Sequence, residues 1–186
     1  MKTTKQKFAS VGALALMVAS LGLAPAAKAA EGPSDPQIVG IALAADQIDI
    51  SYGKLALAKS HDKAVREFAQ RMVTDHSAVQ KSVIGLAEKL GVKAEDSPAC
   101  DGLNKGAAAI TVKLKALKRR AFDKYYIDNE VSYHKTVTDG VEGVLIPSAQ
   151  NAELKSALEG AEPLFLKHLE HARMVQSREI AMARWS

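Results

Sequence analysis

Cysteine is nearly missing from this chain, since Cys100 is the only one. A lone thiol closes no internal disulfide, so in an oxidising compartment it is either a free thiol or an intermolecular bridge. The sequence also has no Cys-x-x-Cys pair, no phosphate-cradling Gly-rich loop and no Gly-x-Ser-x-Gly elbow, and no histidine is near Cys100 in sequence. Nucleophilic catalysis therefore has little support. Strand-like alternation of apolar and polar residues is missing throughout. That leaves an all-α domain and gives no basis for a membrane barrel.

Long apolar runs are equally scarce. The longest, Phe8 to Leu23, follows Lys2, Lys5 and Lys7 and precedes Ala27, Lys28 and Ala29. A basic stretch, an apolar stretch and a small-x-small site read as a secretory signal over residues 1–29, cleaved near Ala29, and the run is shorter than the ~18 residues a membrane span needs. The expected address is the periplasm or the exterior, with no transmembrane segment in the mature chain. Four of the 25 Lys and Arg residues lie in this leader and none of the 21 Asp and Glu residues does. The mature chain is thus near neutral, which removes the basic surface that a nucleic-acid partner requires. What remains is one domain's length.

Four long segments carry helical apolar stripes. Residues 30–36 read as a polar, Pro-containing flexible lead-in, and residues 37–182 as a four-helix bundle. The first helix, from Gln37 to Ser60, has two readings: Ile41, Ala45, Ile48, Tyr52, Leu55, or a rotated set that puts Asp49 inward. Asp46 lies on the flank of both. The second helix opens at Asp62, an N-cap, ends at Gly91, and repeats Val65, Ala69, Met72, His76, Val79, Val83, Leu86 and Leu90. A loop over Gly91 to Lys105 and a short helix over Ala107 to Leu117 make a connection long enough to cross the bundle. The third helix, Ala121 to Val144, has the stripe Asp123, Ile127, Glu130, His134, Val137, Val141, Val144. The fourth starts between Ser148 and Asn151, includes Pro163, and carries Leu158, Phe165, His168 and Ala172.

Three of these stripes hold a histidine where an aliphatic residue is expected. If the second and third helices run parallel, His76 and His134 lie equally far from their helix starts and share a layer, with His168 within a turn or two of it. Glu130 and His134 are four apart and can reach one ion, as can His168 and His171 at three apart. With Asp49 or Asp46 the donor set is mixed nitrogen and oxygen, which suits Fe, Mn, Zn or Cu. The paired Glu-x-x-His signature of di-iron bundles is missing, because Val73 and Phe165 stand where its glutamates would. The plainer reading is a polar layer of neutral histidines bonded to one another, to Tyr52, Tyr126 or Glu130, and to the carbonyl freed by Pro163, setting helix register without a ligand. Asp75 is expected to pair with Arg71 on the surface, His61 to sit in a capping region, and His171 at the rim.

The stretches FAQRMVTDH (Phe68 to His76), FDKYYIDNEVSYH (Phe122 to His134) and EPLFLKHLEHA (Glu162 to Ala172) resemble, in order and spacing, the motifs of a bacterial secreted family of unknown function. Its members are often labelled predicted outer membrane proteins. The resemblance implies a ferritin-like four-helix fold, to which the residues themselves add a long crossover holding a short extra helix. Two positions depart from that family's pattern: Tyr133 replaces an acidic residue and Asp49 shortens a glutamate. The sequence favours a non-enzymatic envelope or stress-associated binding bundle whose partner is an unidentified protein or small ligand. The alternative is a metal-binding protein with redox or storage chemistry at His76, Glu130, His134, His168 and Asp49.

Overall fold

The computed structural model describes residues 32–184, with side chains described through residue 181; the expected leader lies outside them. Ser34 accepts from the Gln37 amide at 3.5 Å and its own amide donates to Gln37 Oε1 at 3.1 Å. This reciprocal cap, with a proline in the first turn, starts α1 (Asp35–Lys59), so the end of the lead-in is helical rather than free chain. Asp62 Oδ1 accepts from the amides of Ala64 and Val65 to open α2 (Lys63–Leu90). Gly91 closes it at φ 64°, a conformation that costs glycine nothing.

The connection holds more helix than its glycines suggest. Ser97 accepts from the Cys100 amide at 3.2 Å, Pro98 occupies the first turn, and α3 runs Pro98–Ala116. Gly102 and Gly106 cost it about 1 kcal/mol each, while Cys100 and Leu114 are buried. Cys100 is thus an enclosed thiol, and a bridge to a second chain would require this helix start to open. Next come α4 (Arg119–Gly140), a π-helical turn Val141–Leu145, the short α5 (Ile146–Ser148) and α6 (Ala152–Arg184). Asn151 Oδ1 caps α6, and the Asp35 carboxylate accepts from the amides of Gln150 and Asn151, tying the start of α1 to that corner. Helix α6 continues on both sides of Pro163.

Among the described residues there is no strand, and no helix is long and apolar enough to cross a membrane. Helix α1 packs along α2, α4 along α6, and α3 along α1. Because α3 returns along the bundle, α4 starts at the end where α2 starts; Val65 and Phe122 share one core cluster there. Burial settles the rotation of α1: Asp49 and Tyr52 are inward, and so is Asp46. A Cβ at Gly53 would lie 2.8 Å from Val73 Cγ2 and 3.0 Å from the Ala69 carbonyl oxygen. Only glycine lets α1 approach α2 this closely, one turn from Asp49.

Candidate metal centre

At mid-bundle, α2 supplies His76, α4 supplies Glu130 and His134, α6 supplies His168, and α1 supplies Asp46 and Asp49. All six are buried. The ring centroids of His76, His134 and His168 lie 5.1 to 5.7 Å apart. The count from helix starts therefore puts the histidines in the right layer, because the crossover makes α2 and α4 parallel.

Each histidine has one ring nitrogen held by an outer oxygen. His76 Nδ1 is 2.7 Å from Asp46 Oδ1, His134 Nδ1 is 3.0 Å from the Glu130 carbonyl oxygen, and His168 Nε2 is 3.0 Å from Asp75 Oδ2. The opposite nitrogens, Nε2 of His76, Nε2 of His134 and Nδ1 of His168, have no hydrogen-bond partner. Neither do the two oxygens of Asp49 and the two of Glu130. Asp49 Oδ2 sits only 2.8 Å from His76 Nε2 and 3.2 Å from His134 Nε2, close approaches without hydrogen-bond alignment. Donor atoms bonded to one ion at ~2.1 Å and at right angles are about 3 Å apart, so these spacings match neighbours in a coordination shell.

Two overlapping triplets result: His76, His134, His168, and Asp49, Glu130, His134. The donor atoms within each lie within 4.8 Å of one another. A single ion with ~2.1 Å bonds needs them within about 4.2 Å. These buried groups can hold a metal. An imidazole that donates to an oxygen on one side and offers its other nitrogen to the centre is the usual arrangement of a metal-bound histidine.

The electrostatics favour a cation. Burial alone would lower the pKa of His76, but Asp46 and Asp49 outweigh it and lift it to about 10. Burial likewise works to raise Asp49, yet His134 and His76 prevail and hold its carboxyl low. Burial first, and then the Asp49 charge, push Glu130 well up. Burial drives His168 down to about 4, with Asp75 opposing it only in part. A positive charge is thus held between the carboxylates of α1, where a metal ion would replace a proton.

Several expectations change. Asp75 pairs with His168 across the bundle rather than with Arg71. His171, expected at the rim, is half-buried and packs its ring against Phe68, 5.1 Å between centroids. Phe165 stacks on His76 at 5.6 Å. Asp49, though short, still reaches two histidines, and the Tyr133 hydroxyl donates to the Ala45 carbonyl oxygen at 2.8 Å. Asp46, on the flank of both sequence readings of the first helix, turns inward and holds His76 Nδ1. Its signal was the three-residue step to Asp49, which places both carboxylates over one imidazole.

The sequence profile of the family described as Domain of unknown function (DUF4142) matches residues 20–175. No curated protein and no solved structure matches the chain.

Proposed function

Because the chain belongs to the domain-of-unknown-function family DUF4142, whose description states no activity, we propose a function from the site: a metal-binding helical bundle that holds a divalent transition metal between His76, His134, His168, Asp49 and Glu130. The observation that carries this reading is the orphaned inner face of the layer. A self-sufficient polar core would hydrogen-bond its own members, since each buried polar group left alone costs about 1–3 kcal/mol. Here the outer sides of three imidazoles are hydrogen-bonded, while the inner nitrogens of His76 and His134 crowd Asp49 Oδ2 at 2.8 and 3.2 Å without forming an aligned hydrogen bond, and His168 Nδ1 and both Glu130 oxygens have no hydrogen-bond partner. The mixed donor set suits Fe, Mn, Zn or Cu, and such an ion would supply Lewis-acid or one-electron chemistry. The leader pattern supports export, so the ion would be acquired in the periplasm or outside the cell. A ferritin-like relationship is part of the same proposal.

The test is metal content of mature protein purified without an affinity tag, before and after reconstitution, with thermal melts of wild type and of His76→Leu, His134→Leu and His168→Leu. Stoichiometric metal is expected in wild type, and a free ion at a hundred times its Kd should add about 2.7 kcal/mol of stability. That gain should vanish in each variant. Trace metal after reconstitution, or equal gains in all four proteins, would return the layer to a polar core in a non-enzymatic bundle.

A further inference from the structure

A cavity of about 1270 Å³ adjoins the histidine layer on the side away from Phe122. That exceeds the ~300–1,000 Å³ of ordinary small-molecule sites. Its walls are the apolar stripes of the helices beyond the layer, such as Val83, Leu86, Val137, Leu158 and Phe165. At the end next to the layer Asp46, Asp75, His76, Tyr133 and His134 reach it, and Gln37, Ser97 and Glu153 add polar groups elsewhere along its lining. From the layer end to the far wall, Phe165 to Leu154 along α6 spans roughly 16 Å at helical rise. An extended chain of about a dozen carbons has that length.

Three features mark this volume as a site rather than loose packing. Its wall contains the π-helical turn, where the Ile146 amide reaches back to the Val141 carbonyl oxygen; such turns are rare and concentrate at functional sites. Its rim between α2 and α6 is built of small residues, Ala78, Ser82, Ala157 and Gly160, all exposed. That opening is bracketed by the His168–Asp75 pair above and the Lys89–Glu153 ion pair below. Finally, Asp46 at the layer end is 3 % exposed and its Oδ2 has no hydrogen-bond partner. A buried carboxylate oxygen with no donor calls for an O–H or N–H group.

We propose that the cavity binds a single-chain lipid-like molecule bearing a hydroxyl head, with the chain along the apolar walls and the O–H donating to Asp46 Oδ2. A head that only accepts hydrogen bonds leaves that oxygen unpaired, and an anionic head would face the carboxylates of Asp46 and Asp49. The site lies beside the proposed metal centre and does not depend on it.

Dodecanol and dodecyl methyl ether, equal in chain and differing in the donor, are titrated against protein carrying the neutral fluorescent probe N-phenylnaphthylamine, with and without chelator treatment. Dodecanol should displace the probe with a micromolar Kd, and the ether should bind about tenfold more weakly, the equivalent of one lost hydrogen bond. Ala161→Phe, which fills the cavity, and Ala157→Trp, which closes its exposed rim, should each weaken dodecanol at least about tenfold. Val112→Phe on the exposed face of α3 should not. Asp46→Leu should abolish the preference for the alcohol. No displacement, or dodecanol binding unchanged in both filling variants, overturns the site; equal affinity for alcohol and ether overturns the head-group assignment. Metal content, measured in Ala157→Trp, should match wild type, so loss of lipid with metal retained separates this site from the metal centre.

Discussion

On one side of the histidine layer α2 buries Val65, Phe68, Ala69 and Met72 with no exposed surface; on the other side the same stripe continues through Val79, Val83 and Leu86, and all three stay partly exposed. The residue types and the helix are the same. The difference lies in what faces them. Above the layer, Phe122, Tyr126 and Ile127 of α4, Leu114 of α3, and Ala172 and Val175 of α6 close the core. Below it, α4 passes into the π-turn, α6 presents Ala157, Gly160 and Ala161, and the helices stand around a cavity. A stripe in a sequence tells which face turns inward. Whether that face meets a close-packed partner depends on volumes contributed by other helices, and dispersion contacts are forfeited wherever they fall short.

Truncation gives the largest expected contrast between the two ends. Phe68→Ala removes a ring from a filled site and should cost about 3–5 kcal/mol. Val83→Ala enlarges a space that already exists beside a partly exposed side chain and should cost under about 1 kcal/mol. Urea unfolding of the two variants measures both. Equal costs would mean that the lower end is packed as tightly as the upper.

The fold was largely legible because periodicity and capping are local. Asp62 and Gly91 bound α2 as their chemistry demands, and the crossover length fixed which helices run parallel. The start of α3 was hidden by Gly102 and Gly106, whose helix penalty outweighs the cap signal until the burial of Cys100 and Leu114 is included. For α1 the apolar residues surround the helix, because α2, α3 and α4 all pack on it, so no stripe could choose a rotation. The histidines could be placed in a layer, but their outer partners could not. Asp75 reaches His168 from another helix, and only assembled geometry shows which ring nitrogens are left bare.

Adding volume should reverse the sign between the ends. Ala69→Leu forces methylenes into a site with no exposed surface and should destabilise by about 1–3 kcal/mol. Ala161→Leu points into the cavity and should be neutral or stabilising by about 0.5–1 kcal/mol. Melting temperatures read both changes. A loss in both variants would show that the lower helices cannot accept even a butyl group, and the contrast between the ends would fail.

The filled end has a cost of its own, in Glu179 of α6. The residue is 6 % exposed, and its Oε1 lacks a hydrogen-bond partner. Burial, followed by Asp62 and Asp123, raises its pKa, while Arg178 and Arg120 oppose the shift. The sign follows from linkage. A carboxyl whose folded pKa exceeds its unfolded value contributes its stability in full below the unfolded pKa, about 4.3 for glutamate, and loses it as pH rises through the folded value. Asp123, also raised, chiefly by burial, drifts in the same direction and is common to both proteins compared. In Glu179→Gln the side chain keeps its shape and cannot ionise. The variant should therefore gain on wild type as pH rises from about 4 to 7, with the two closest at the acid end. Denaturant midpoints across that range test it. A difference that stays constant with pH would show that Glu179 is ionised at no cost, with the Arg178 contact at 3.7 Å sufficient to balance its burial.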